Sequence, residues 1–244
     1  MNLDEHRSRL VERCRQTHGV TSLVFFGSAT DGGSTRRDEW SDLDFNLFAA
    51  PHRVDEIRRE WPFLPSPDRI VLRAREHGDG GVVLYDDGVV YEFGAGSPWE
   101  IRDPHRQVVL DGGDLRIGHP PSAPDAANEV SLFLAKLYLG VGRARRGEVV
   151  SAGALVRTHA VTCLCHAIRA RLAPQRAVEA SAFDPLRRFE DAYPQLGDLL
   201  SAALASPVEA AGRQLFELAR TRLEPGWPEF PSRAADLVAA RFGW

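Results

Sequence analysis

FFGSATDGGSTRRDEWSDLDF (residues 25–45) is the stretch that decides how this chain is read. It opens at the end of VTSLVFF (20–26), a continuous apolar run rich in β-formers that breaks off at Gly27-Ser28, as a buried strand would. It closes inside DLDFNLFAA (42–50), where Leu43, Phe45 and Leu47 alternate with Asp42, Asp44 and Asn46. That period of two is the mark of a half-buried strand. Two strands joined by a Gly- and Ser-rich turn therefore form the centre of the N-terminal half.

Upstream, Leu3, Leu10, Val11 and Cys14 fall on a helical spacing, and Gly19 is a suitable breaker, so residues 2–17 are expected to form a helix. Downstream, Pro51 starts a short expected helix reaching Trp61, and RIVLRA (69–74) reads as a strand. VVLY (82–85) and VVYEFGA (89–95) read as a hairpin turned at Asp86-Asp87-Gly88, with a last strand at RQVVLD (106–111). The Gly- and Pro-rich segment 112–124 has no period and reads as a linker. Beyond it every periodic segment is helical. Helices are expected at 128–146, 151–172, 185–205 with a break near Pro194, from a Ser206-Pro207-Val208-Glu209 capping box to Leu223, and after Ser232. The expected fold is an α+β domain over 1–118, a mixed sheet flanked by helices, followed by an all-α helical bundle over 119–244.

The two ends of the opening stretch suit phosphate and metal chemistry. A Gly-Ser at a strand-to-helix turn lets backbone N–H groups and a hydroxyl approach phosphate oxygens, because glycine has no Cβ and a helix start offers spare donors. Asp42 and Asp44, two apart on a strand, project side by side, so their carboxylates can share hard cations such as Mg²⁺. Gly27-Ser28 followed by Ser41-Asp42-Leu43-Asp44 on the next strand resembles the signature of the DNA polymerase beta-like nucleotidyltransferase superfamily. The helical second half, containing FDPLRRFEDAYPQL, resembles the layout of its lincosamide and aminoglycoside members, antibiotic-resistance enzymes.

The resemblance implies transfer of a nucleoside monophosphate, AMP from ATP or its equivalent from another NTP, to a hydroxyl of a small molecule, with release of pyrophosphate. It implies two Mg²⁺ ions on three carboxylates. Asp42 and Asp44 supply two, and the third follows a hairpin turn in the antibiotic enzymes, the place Glu92 holds here. The superfamily more often has Asp at that place, so Glu92 is a departure that bears on metal geometry. Asp86 and Asp87 are the alternatives, but a turn already accounts for them. Glu92 can also be read as an edge-strand charge that discourages aggregation. Gly27, Ser28 and Ser41 are placed with the nucleotide phosphates.

Glu129, Lys136 and Arg143 are spaced seven apart and form one polar stripe on the first helix after the linker. Similar antibiotic nucleotidyltransferases place an acidic residue and a lysine on that helix, which implies Glu129 as general base, facing the carboxylates across a cleft, and Lys136 as a triphosphate contact. A helix N-terminus also favours a carboxylate through its dipole, which is an equal account of Glu129. His159 and His166 share a helix face without a third ligand, and read as packing or surface residues.

Composition narrows the partners. The chain has 244 residues, 43% hydrophobic and 26% charged, the mixture of a folded globular protein. A net charge of -4 supplies no global basic field for nucleic acid, so a template-independent polymerase is disfavoured. Three cysteines, with Cys163 and Cys165 on opposite helix faces, indicate neither a disulfide framework nor a zinc knuckle. No apolar stretch approaches the ~20 residues of a membrane span, and MNLDEHRSRL lacks a secretory run, so a cytoplasmic protein is expected. Oligomeric state is open, and a homodimer is compatible with the sequence. Two rivals from other classes remain: an antitoxin-type enzyme that adenylylates a protein, and a degenerate nucleotide-binding module. The ~120-residue helical half argues against the first, and the filled carboxylate positions against the second.

Overall fold

A computed structural model describes residues 2–76, 78–178, 181 and 183–244. The chain divides into two compact units, Met1–Pro120 and Pro121–Trp244.

In the first unit, α1 (Leu3–Gln16) starts from a capping box: Glu5 N–H donates to Asn2 Oδ1 at 2.9 Å and Asn2 N–H to the Glu5 carboxylate at 3.3 Å. Then come β1 (Val20–Phe26), β2 (Leu43–Ala49), α2 (Val54–Glu60), β3 (Ile70–Arg75), β4 (Gly80–Tyr85), β5 (Val90–Gly96), β6 (Glu100–Ile101), β7 (Arg106–Leu110) and β8 (Arg116–Ile117). Six strands make a mixed sheet in the order β3-β4-β5-β2-β1-β7. Only β2 and β5 pair parallel in it, which sets Asp44 beside Glu92 and Phe45 beside Phe93.

One face of the sheet carries the main core. Leu23, Phe25, Leu43, Phe45, Leu47 and Phe93 pack there with Leu10 and Cys14 of α1 and Val54 and Ile57 of α2. Phe45 stacks on Phe93 at 5.1 Å and meets Phe25, Phe63 and Tyr91 edge-on. Aromatic pairs of this kind contribute about 0.5–1.5 kcal/mol each beyond burial, and here they lock β2 to β5 in one register. The opposite face is only partly covered. Val24, Phe48 and Ile101 form a small cluster with Phe26, Trp99 and Leu115. Part of that cover is a parallel pair, β6 with β8, inside and just before the segment read as a structureless linker. Two-residue strands have no readable period, which is why the sequence does not announce them.

The hairpin turn is held from within. His6 of α1 is 1% exposed; its Nδ1 lies 2.9 Å from the Tyr91 hydroxyl and its Nε2 3.1 Å from the Asp87 carboxylate, which Arg69 also contacts at 3.1 Å. Burial pushes the Asp87 pKa up, yet the group is held well below its ordinary 3.8, the hydrogen bond to His6 being the leading lowering cause, with the His6 charge and Arg69 among the further ones. A depressed native pKa stabilises the fold above the unfolded value, and the contribution is lost as pH falls through the native one. The stability advantage of the wild type over Asp87→Asn is therefore expected to be complete at pH 6 and to shrink from about pH 4 downward. Urea midpoints of both proteins between pH 3 and 6 measure this, and a constant difference would contradict it.

The second unit holds α3 (Ala126–Arg145), α4 (Val149–Gly153), α5 (Val161–Arg171), α6 (Phe189–Ala192), α7 (Pro194–Ala205), α8 (Val208–Arg222) and α9 (Ser232–Phe242). Val130, Phe133, Leu134, Leu137 and Val141 give α3 one apolar face, packed among the other helices. Residues 154–160, between α4 and α5, are π-helical. Gly140 lets this segment come close to α3, since a Cβ there would lie 2.6 Å from a Val156 methyl. The expected helix 185–205 is two helices beginning at Phe189, broken at Tyr193. The capping box at Ser206 does not form: Pro207 is the N-cap with no side-chain cap, Ser206 Oγ donates to Ala202 O at 3.1 Å, and Glu209 pairs with Arg145. The preceding helix and an arginine take the two side chains that the cap requires. No helix among the described residues is long and apolar enough to cross a membrane.

Candidate active site

The uncovered part of the sheet's second face is where the polar positions of β2 and β5 emerge. Because side chains alternate, Asp44 and Asn46 on β2 and Glu92 and Gly94 on β5 share this face. They border a groove of about 410 Å³ together with Phe26, Glu76 and Asp103. Asp42 precedes β2 by one residue. Carboxylate oxygens of Asp42, Asp44 and Glu92 all lie within 4.8 Å of one another. Asp42 and Asp44 are half-buried and Glu92 is exposed.

This donor set fits a hard divalent cation. Three carboxylates offer only oxygen, the donor that Mg²⁺ prefers, and they converge from two neighbouring strands. Glu92 stands directly beside Asp44 in the parallel register.

The turn after β1 lies against this cluster. Gly27 has φ +52, and a Cβ on it would come 3.7 Å from Asp44 Oδ2, so the backbone passes close to the carboxylate. Residues Gly27–Ala29 form one 3-10 turn. Ser28 Oγ donates to Asp42 O at 3.2 Å, tying the turn to the start of β2. Thr30 Oγ1 donates to Gly27 O at 2.9 Å and accepts from Gly33 N–H at 3.0 Å. Gly33 folds back so tightly that a Cβ would stand 2.1 Å from Gly27 O.

Sequence reading did not single out Arg37, which secures this turn from behind. Its side chain is 13% exposed and pairs with Asp4. Its Nε donates to Ser28 O at 2.6 Å and its Nη2 to Thr30 O at 3.0 Å. A guanidinium bound to these carbonyls fixes the tilt of the peptide planes in the turn. Two adjacent arginines in a polar stretch carry no signal that would distinguish this role from a solvated surface. Ser41, placed with the phosphates on sequence grounds, has its hydroxyl in a second turn: it donates to Asp38 Oδ1 and accepts from Asp38 N–H, both at 3.0 Å.

Gly33 yields a direct prediction. Its φ of -85 suits any residue, so only space forbids a side chain. Gly33→Ala is expected to destabilise the unit by about 1–3 kcal/mol through overpacking, because Gly27 and Ser28 must move. A thermal midpoint equal to wild type would show that the turn yields freely.

Glu129 and Lys136 belong to the second unit, on α3. Asp125 caps that helix, accepting from Ala127 N–H at 3.0 Å, and both Glu129 and Lys136 are half-buried. Across on α5, burial and then the neighbouring Glu129 carboxylate, with a hydrogen bond to it, push the Cys163 thiol up to about 11, with Lys136 opposing. Glu129, Lys136 and Cys163 therefore form one polar cluster between α3 and α5. His159 and His166 belong to no metal-ligand cluster among the described residues.

No family model matches the chain, and no curated protein does. Among solved structures it is similar to an aminoglycoside 6-adenyltransferase from Bacillus subtilis, with 11% identity and a TM-score of 0.38, over 100% of this chain and 92% of that one. A likeness of that degree leaves the function to be argued from the site itself.

Proposed function

We propose that the chain is a Mg²⁺-dependent nucleotidyltransferase that moves a nucleoside monophosphate, AMP from ATP in the first instance, onto a hydroxyl of a small molecule. The observation that carries this reading is the convergence of Asp42, Asp44 and Glu92 within 4.8 Å, on an open sheet face beside a Gly-Ser turn. Like charges repel, and a divalent cation bound among the three would offset that repulsion.

Asp42, Asp44 and Glu92 would hold Mg²⁺, two ions where both fit. Bound there, the metal would favour the ionised form of the acceptor hydroxyl and offset negative charge on the phosphates. The chain's own groups do the rest. The turn at Gly27 and Ser28 receives the β- and γ-phosphates on backbone N–H groups. Glu129 takes the proton of the acceptor hydroxyl, and Lys136 offsets charge on the departing pyrophosphate. The hydroxyl oxygen bonds to the α-phosphorus as the bond to the bridging oxygen breaks, and pyrophosphate leaves. Glu76 and Asp103 add negative charge at the groove, which favours a cationic acceptor.

The test is pyrophosphate release over ATP, GTP, CTP and UTP with Mg²⁺, with and without aminoglycosides and lincosamides, followed by mass analysis. A nucleotide-sized mass gain on the small molecule is the expected result. A gain on protein, or none with any NTP, would overturn the reading.

A further inference from the structure

The chain has five tryptophans. Four are packed on another ring: Trp61 on Phe93, Trp99 on Phe48, Trp227 on Phe230, and Trp244 on Phe216 and Phe242. Trp40 has no ring partner among the described residues and is 84% exposed. An indole is a large apolar surface, and leaving it in water forgoes the stabilisation that burial gives the other four.

Trp40 is also held in place. Its backbone N–H donates to Asp38 Oδ1 at 3.0 Å, and the same oxygen accepts from Ser41 Oγ at 3.0 Å. Asp38 N–H donates to Ser41 Oγ at 3.0 Å and Ser41 N–H to Asp38 O at 3.3 Å, closing a four-residue turn with Trp40 inside it. Both ends of that turn are anchored to the candidate site. Arg37, immediately before it, grips the carbonyls of the Gly-Ser turn, and Asp42, immediately after it, accepts from Ser28 and belongs to the carboxylate cluster. Two residues of chain span at most about 7 Å, so the backbone of Trp40 stands close to that of Asp42.

We propose that Trp40 is the stacking surface for the nucleobase of the triphosphate substrate, an inference that rests on the nucleotidyl-transfer reading above. The base lies one ribose away from the α-phosphorus, so phosphates held at the carboxylates leave it within reach of a neighbouring segment, and the turn that carries Trp40 is such a segment. The polar groups of the groove suit phosphate, metal and hydroxyl, and a flat π-face is what a base requires. Stacking is tolerant of base identity because every base has such a face, so Trp40 gives affinity for nucleoside triphosphates in general and little choice among them.

Calorimetry with full-length wild type, Trp40→Ala and Trp40→Phe tests this, using the four NTPs and inorganic tripolyphosphate in Mg²⁺. Trp40→Ala is expected to lose roughly tenfold in affinity for every NTP that wild type binds, with tripolyphosphate affinity unchanged and Trp40→Phe recovering most of the loss. NTP addition is expected to quench tryptophan emission in wild type and not in Trp40→Phe. Unchanged NTP affinity in Trp40→Ala overturns the inference, as does an equal loss for NTP and tripolyphosphate, which would make Trp40 a support for the phosphate turn. If wild type binds neither NTP nor tripolyphosphate, the nucleotidyl-transfer reading itself fails.

Discussion

Asp44→Asn, and separately Asp42→Asn, is expected to cut Mg²⁺-dependent pyrophosphate release by at least about 10²-fold, because an amide replaces a charged oxygen ligand at the centre of the cluster. Folding should be spared. Both side chains are half-buried on the open face of the sheet, asparagine has nearly the same shape, and the β2–β5 register is held from the other face by Phe45 and Phe93. Added Mg²⁺ should raise the wild-type midpoint and raise that of the variants less, since a ligand stabilises only the state that binds it. This second measurement needs no substrate. Near wild-type release in either variant, with unchanged Mg²⁺ dependence, would remove the metal assignment. A wild-type midpoint indifferent to Mg²⁺ would do so independently.

The strands that build the cluster were readable because each carries its own local period. Leu43, Phe45 and Leu47 against Asp42, Asp44 and Asn46 mark β2, and Asp86-Asp87-Gly88 marks the hairpin leading to β5, where Gly88 takes φ +88. Local pattern does not contain the parallel pairing that sets Asp44 beside Glu92, because α2, β3 and β4 intervene between the two strands. There the resemblance to nucleotidyltransferases supplied the expectation. What stayed hidden depends on tertiary contacts between short polar pieces. Arg37 acts on carbonyls, which have no residue signature. The turn at Asp38–Ser41 uses residue types common in any loop, and β6 and β8 are two residues each. Ser206 met the rule for a cap and went elsewhere, because Ala202 O of the preceding helix competes for its hydroxyl.

Glu129→Gln is expected to lower turnover by about 10²–10⁴-fold, the usual contribution of a positioned general base, with NTP affinity nearly unchanged. The rival account makes Glu129 a charge that complements the N-terminus of α3, and the two accounts predict different measurements. Loss of a helix-dipole contact costs about 0.3–1 kcal/mol of stability and leaves turnover alone. Loss of a base leaves stability nearly alone and lowers turnover, because glutamine cannot accept the proton of the acceptor hydroxyl. The cluster on α3 and α5 bears on the same question. Burial first, and then Glu129, raise the pKa of the Cys163 thiol on α5, so Cys163 is a neighbour through which either role of Glu129 can be probed. Cys163→Ala, which leaves the Glu129 carboxylate in place, should lower turnover less than Glu129→Gln does. A Glu129→Gln enzyme with normal turnover and a slightly lowered thermal midpoint would return Glu129 to the helix dipole, and proton transfer would then fall to another group.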